Sequence, residues 1–112
     1  MTISYADFLA SKTVAEPSYG RRIDVGAIHP RLHPWQAQIV AWAVEKGRAA
    51  LWEDTGLGKT VQQLEWARLS GDTSLIVAPL AVCHQTVREA ERQLGLPVRY
   101  VRALMLDEPI IK

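Results

Sequence analysis

Apolar residues recur along this chain in two rhythms, and their alternation divides it into elements. From Trp35, hydrophobic positions fall at Ile39, Trp42 and Val44, the spacing of an amphipathic helix with a wide apolar face. Pro34 fits its first turn, where a missing N–H does no harm, and Gly47 stops it. A second helix is predicted from Lys59, with Val61, Leu64 and Ala67 on one face and Leu57 and Trp66 packing nearby, ending at Ser70-Gly71-Asp72. A third spans about Val82 to Leu94, with Cys83, Val87, Ala90 and Leu94 in register and Gly95 and Pro97 closing it. Between these helices lie short runs rich in strand formers: Ala49 to Trp52, Ser74 to Ala78 and Val98 to Val101. The middle run is continuously apolar, as expected of a strand covered on both faces. Strand, helix, strand, helix, strand predicts an α/β fold with a parallel sheet and right-handed crossovers.

Ahead of this unit, residues 1–29 read as a helical N-terminal arm. Ser4 can cap a short helix in which Tyr5, Phe8 and Leu9 share a face, and Glu16-Pro17-Ser18-Tyr19-Gly20 breaks it. The division is therefore an arm over 1–29 and an α/β unit over 30–112.

The junction of the first run and the second helix carries the chemistry. Ala49 to Trp52 leads into Glu53-Asp54-Thr55-Gly56-Leu57-Gly58-Lys59-Thr60, and the helix begins as the Gly-Lys-Thr ends. Strand, glycine turn and helix is the layout of a phosphate-binding loop, where backbone N–H groups and the positive end of the helix dipole surround an anion. Lys59 would add a point charge at the outer phosphates, and the Thr60 hydroxyl would help hold magnesium. The template G-x-x-x-x-G-K-[ST] expects glycine where Glu53 stands, while Gly56 supplies extra backbone freedom. The alternative is a plain glycine-rich helix start followed by an exposed lysine.

Bulk properties narrow the setting. At 112 residues, 48% hydrophobic and 22% charged, the chain suits one small globular domain with a modest core. A formal charge of +1 argues neither for nor against nucleic acid. Cys83 is the one cysteine, which excludes an internal disulfide and suits a reducing compartment, so the expected localisation is cytoplasmic. No stretch approaches the roughly 20 apolar residues of a membrane span, and no signal core opens the chain.

Three further features each admit two readings. Gln36 presents a donor and an acceptor, as reading an adenine edge requires, yet it also reads as an exposed surface glutamine. Arg21-Arg22 is a basic pair able to touch phosphate, or a solvated turn. Ala103-Leu104-Met105-Leu106-Asp107-Glu108 has the form of a magnesium-binding carboxylate strand. It follows the Val98–Val101 run with no crossover helix, and Pro109 comes at once, so an exposed acidic turn is the expected reading.

Three quoted motifs together resemble the start of the first motor domain of superfamily 2 helicases, closest to the Swi/Snf-like and phage or bacterial DEAD/DEAH-type branch. Leu32-His33-Pro34-Trp35-Gln36 is similar to that family's glutamine motif, and Glu53 to Thr60 to its motif I, which in this branch often begins with an acidic residue. Val77-Ala78-Pro79-Leu80-Ala81-Val82 resembles the next motif. The likeness covers about residues 30 to 102 and implies a partial RecA-like P-loop NTPase domain. It also implies that Gln36 reads adenine with Trp35 beside the base. Thr55, Gly56, Leu57, Gly58, Lys59 and Thr60 would hold ATP and its magnesium, and Pro79 and Leu80 would lie near one nucleic-acid strand, DNA rather than RNA. By that resemblance the chain is expected to be the ATP-binding segment of a helicase or translocase. The later catalytic motif and the second motor domain are not recognisable in it, so nucleotide should be bound far better than it is hydrolysed. The alternative is a non-catalytic module holding nucleotide or nucleic acid. A small-molecule kinase is disfavoured, because the glutamine motif precedes the loop and no lid-like arginine cluster follows it.

Overall fold

The computed structural model describes residues 2–12, 17–71 and 73–101. Helix α1, Tyr5–Lys12, is capped by Ser4, whose Oγ accepts from the Asp7 N–H at 3.1 Å. The expected apolar face of Tyr5, Phe8 and Leu9 meets no core, and no residue of α1 is buried.

The chain then returns to the body of the protein. Tyr19 and Gly20 donate their N–H groups to the Lys46 and Glu45 carbonyls, both at 3.0 Å. These carbonyls end α2, Pro34–Lys46, where a helix has no internal donors left for them. Gly20 and Gly47 meet backbone to backbone at this joint, and a Cβ on Gly20 would overlap the Val44 carbonyl oxygen. Arg21 does the equivalent for α3, Lys59–Ser70, donating from Nε and Nη2 to the Leu69 carbonyl at 3.0 and 2.6 Å. The 3₁₀ turn Val25–Ala27, with Asp24 accepting from the Gly26 N–H, then sets Ile28 into the core.

That core is built by Ile28, Leu32, Ala37, Val40, Ala41, Val44 and Leu69, with Ile23, Val61, Trp66 and Leu94 packed on its edge. It is filled from α2 by small residues. Trp35 and Trp42, expected on the inward stripe, leave close to half their surface exposed. The reason is steric: the Ala and Val face lets α2 approach α3 and the 19–28 segment closely, and indoles on that face would hold them apart. Helix α3 is central, packing on α2 and on α4, Leu80–Leu94. Leu64 and Ala67 of α3 and Ala90 of α4 are buried. A Leu64→Ala change would cost about 2–5 kcal/mol.

No β-strand forms among the described residues, and the expected partial RecA-like α/β domain with its parallel sheet is corrected to a helical fold with extended connections. All three runs, Ala49 to Trp52, Ser74 to Ala78 and Val98 to Val101, lie outside helices without pairing into a ladder. Burial alternates along the second, with Ser74, Ile76 and Ala78 half-buried and Leu75 and Val77 exposed, Val77 at 85%. Alternation of this kind belongs to extended backbone with one covered face. A parallel ladder needs cover on both. Here α3 and α4 cover one side of the second run only, and the first run is exposed throughout, with Trp52 at 95%. Segments 74–78 and 96–101 instead line, with α3 and α4, a largely apolar open pocket of about 280 Å³. Asp107 and Glu108 lie outside the described residues. No helix among those residues is long and apolar enough to cross a membrane.

Candidate phosphate-binding site

The loop between the first extended run and α3 turns at Thr55–Gly56, where Asp54 Oδ1 accepts from the Thr55 N–H at 2.8 Å. Gly58 is the N-cap of α3 and adopts the left-handed conformation, φ 72° and ψ 36°. A side chain there would meet strain from the backbone and an obstacle in space, since a Cβ would stand 2.6 Å from Gln36 Nε2. Gly56 is open, with no atom within 4 Å of where its Cβ would lie. No side chain caps α3, and no hydrogen bond among the described residues engages the Gly58 N–H.

The loop is held from beneath. Gln36, 6% exposed, accepts the His33 N–H on Oε1 at 2.9 Å and donates from Nε2 to the Leu57 carbonyl at 2.8 Å. Gln62, 1% exposed, donates to the same carbonyl at 3.0 Å and to Glu53 Oε2 at 2.9 Å. Two buried amides thus share one carbonyl oxygen, filling both of its lone pairs. Lys59 reaches back over the turn, its Nζ donating to the Glu53 carbonyl at 3.0 Å.

The structure therefore gathers Gln36, Leu57, Gly58 and Lys59 around one loop, with Thr55, Gly56 and Thr60 on its exposed side. Trp35 is exposed on the first turn of α2. Pro79 and Leu80 open α4, both exposed, with no hydrogen bond to the loop among the described residues. Gln36 is buried where an exposed glutamine was one of the two readings. Arg21 holds a helix end within the protein, and Arg22 is exposed.

Two buried polar residues escaped the sequence reading. Besides Gln62, Glu65 is fully buried, accepting the His29 N–H on Oε1 at 3.0 Å and pairing with Arg68. That hydrogen bond holds the Arg68 guanidinium above its ordinary range, against the opposing effect of burial. The signal was present: Gln62, Glu65 and Leu69 stand at i, i+3 and i+7, one helix face, and two of the three are polar. Among the described residues no group of three or more His, Cys, Asp or Glu could hold a metal unaided.

Comparison with protein-family models, with curated proteins and with solved structures finds no match.

Proposed function

We propose that the loop Glu53 to Thr60 binds the phosphate chain of a nucleoside triphosphate, ATP by the glutamine motif, as the nucleotide-binding segment of a nucleic-acid helicase or translocase. The observation that carries the reading is the unclosed start of α3. A left-handed glycine takes the place of a capping side chain, no side chain among the described residues caps the first-turn amides, and Lys59 stands beside them. Such a helix start favours an anion. A triphosphate arriving there would draw Lys59 from the Glu53 carbonyl to a stronger, charge-assisted acceptor.

Within that reading each residue has a task. Gly56 leaves room for phosphate oxygens, Gly58 and the first turn of α3 offer N–H donors, and Lys59 supplies positive charge. The Thr60 hydroxyl would share magnesium with the phosphates, and that ion would neutralise their charge. Trp35 offers an exposed ring at the start of α2, near the Gln36 amide in sequence, for a base to lie against. Pro79 and Leu80 are the residues proposed to meet nucleic acid, DNA before RNA. The lack of a β-ladder among the described residues favours a second reading, a module that binds nucleotide without turning it over. A parallel sheet is what places a water-activating carboxylate across from the loop in the motor reading.

Calorimetric titration with ATP and magnesium separates these possibilities. Wild type should bind, and Lys59→Ala should lose about tenfold to a hundredfold in affinity, the range for a hydrogen bond to a charged group. If wild type and Lys59→Ala are equally unresponsive, the phosphate reading is wrong. Binding without phosphate release, with or without single-stranded DNA, favours the non-catalytic module.

A further inference from the structure

The Leu57 carbonyl is an unusual place to find two buried side-chain amides. Gln36 and Gln62 come from different helices and converge on its oxygen at 2.8 and 3.0 Å. Gln62 commits both of its N–H groups, one to Leu57 and one to Glu53 Oε2. The commitment has a cost, because Gln62 Oε1 and Glu53 Oε1 are both buried and neither has a partner among the described residues. A glutamine serving only the stability of α3 would not be set so that its own acceptor is orphaned. Reversing the amide would not help, since its oxygen would then face a carbonyl and a carboxylate.

The gain lies one atom further along the chain. The Leu57–Gly58 peptide is trans, so its C=O and N–H point in opposite directions. Two donors hold the carbonyl toward the buried glutamines, and the Gly58 N–H must then face away from them. That N–H has no acceptor among the described residues. The left-handed φ of Gly58 lets α3 start immediately after this fixed peptide.

We propose that Gln62, acting with Gln36, is a positioning residue of the loop: by holding the Leu57 carbonyl inward, the pair aims the Gly58 N–H at a bound phosphate. The inference rests on the phosphate reading above and extends it to a residue outside the loop motif. It gives Gln36 a role that does not depend on a base.

Inorganic tripolyphosphate with magnesium is the probe, because it carries phosphates and no base. Wild type should bind it, with the Gly58 amide exchanging rapidly with solvent when unliganded and slowly when tripolyphosphate is present. Gln62→Met keeps the length and removes both donors. It should weaken tripolyphosphate binding about tenfold, the worth of one net hydrogen bond. The Gly58 ¹⁵N resonance should shift and its ligand-induced protection fall, neither of which a general loosening of α3 would confine to that one amide. Gln36→Met should do the same, whereas a glutamine that only reads adenine would leave tripolyphosphate affinity unchanged. Wild-type binding matched within twofold by Gln62→Met, with Gly58 equally protected, overturns the positioning role and leaves the phosphate reading standing. Failure of wild type to bind tripolyphosphate overturns both. Should Gln62→Met not fold, the wild-type side chains decide: slow solvent exchange of both the Gln36 and Gln62 amide groups is required, and rapid exchange of either refutes the clamp.

Discussion

At the start of α2, Pro34 brings no N–H, and the His33 N–H is taken by the Gln36 side chain at 2.9 Å. At the start of α3, Gly58 brings no side chain, and the first-turn amides have no internal cap. Both helices face the same problem of donors without carbonyls: at α2 proline removes one donor and Gln36 takes up another, while at α3 none is taken up by a side chain among the described residues. Gln36 joins the two cases, since one end of its amide closes α2 while the other end holds the Leu57 carbonyl ahead of α3. A closed start is a structural element and an open one is a place for a ligand. Here a single side chain belongs to both.

The largest test of this contrast lies beneath it. Glu65 on α3 holds the His29 N–H on the approach to α2 and pairs with Arg68. Glu65→Ala should destabilise the fold by about 3 kcal/mol, the low end for breaking a buried pair, because Arg68 retains access to water. Urea denaturation gives the value, and a loss near zero would mean that the two helix starts are not fastened together. Next comes Gln36→Ala, expected to cost about 2 kcal/mol, half from the cap of α2 and half from the bond to Leu57. Paired with Gln62→Met in a double-mutant cycle, it should show coupling, because both act on one oxygen. Strict additivity would separate the two helix starts again.

Gly58→Ala sharpens the open side. The left-handed backbone costs about 1–2 kcal/mol for a residue with a Cβ, and Gln36 Nε2 must move from its 2.6 Å approach. Tripolyphosphate affinity should fall further than stability does, measured by calorimetry against urea midpoints. The smallest effect is a control far from either start. Hydrogen bonds from Gln93 and then Arg92 hold the Glu89 carboxyl below its ordinary range. A lowered folded-state pKa stabilises above the ordinary carboxylate pKa and is lost as pH falls through the folded value. Glu89 is half-buried but its partner Arg92 stands in solvent, so the contribution is slight, and the melting temperature of Glu89→Gln should match wild type at neutral pH.

Much of the local structure was legible because its causes are local. Pro34 and Gly47 bracket α2, the second helix starts at Lys59 as the loop motif implies, and Gly95 ends α4. The residues that hold the site were less legible. Gln62 and Glu65 look like surface polar positions until the partners they reach, Leu57, Glu53 and His29, are known. On α2 the helical spacing alone does not say which of two apolar faces is buried: Ala37, Val40, Ala41 and Val44 line the core while Trp35 and Trp42 stay close to half-exposed. The sheet failed for a related reason. Ser74 to Ala78 carries its own preference for extended backbone, but a ladder requires a neighbour about 4.8 Å away, which no single run can encode.

The joint between Gly20 and Gly47 has a consequence for how variation in this chain would read. In a saturation library scored for folding, most core positions tolerate some exchange among similar hydrophobic residues. At Gly20 no side chain of any chemistry fits beneath the Val44 carbonyl, so that column should be empty down to alanine, and Gly47 should follow it. The two positions would therefore look like a paired active site in such a map while touching no ligand at all.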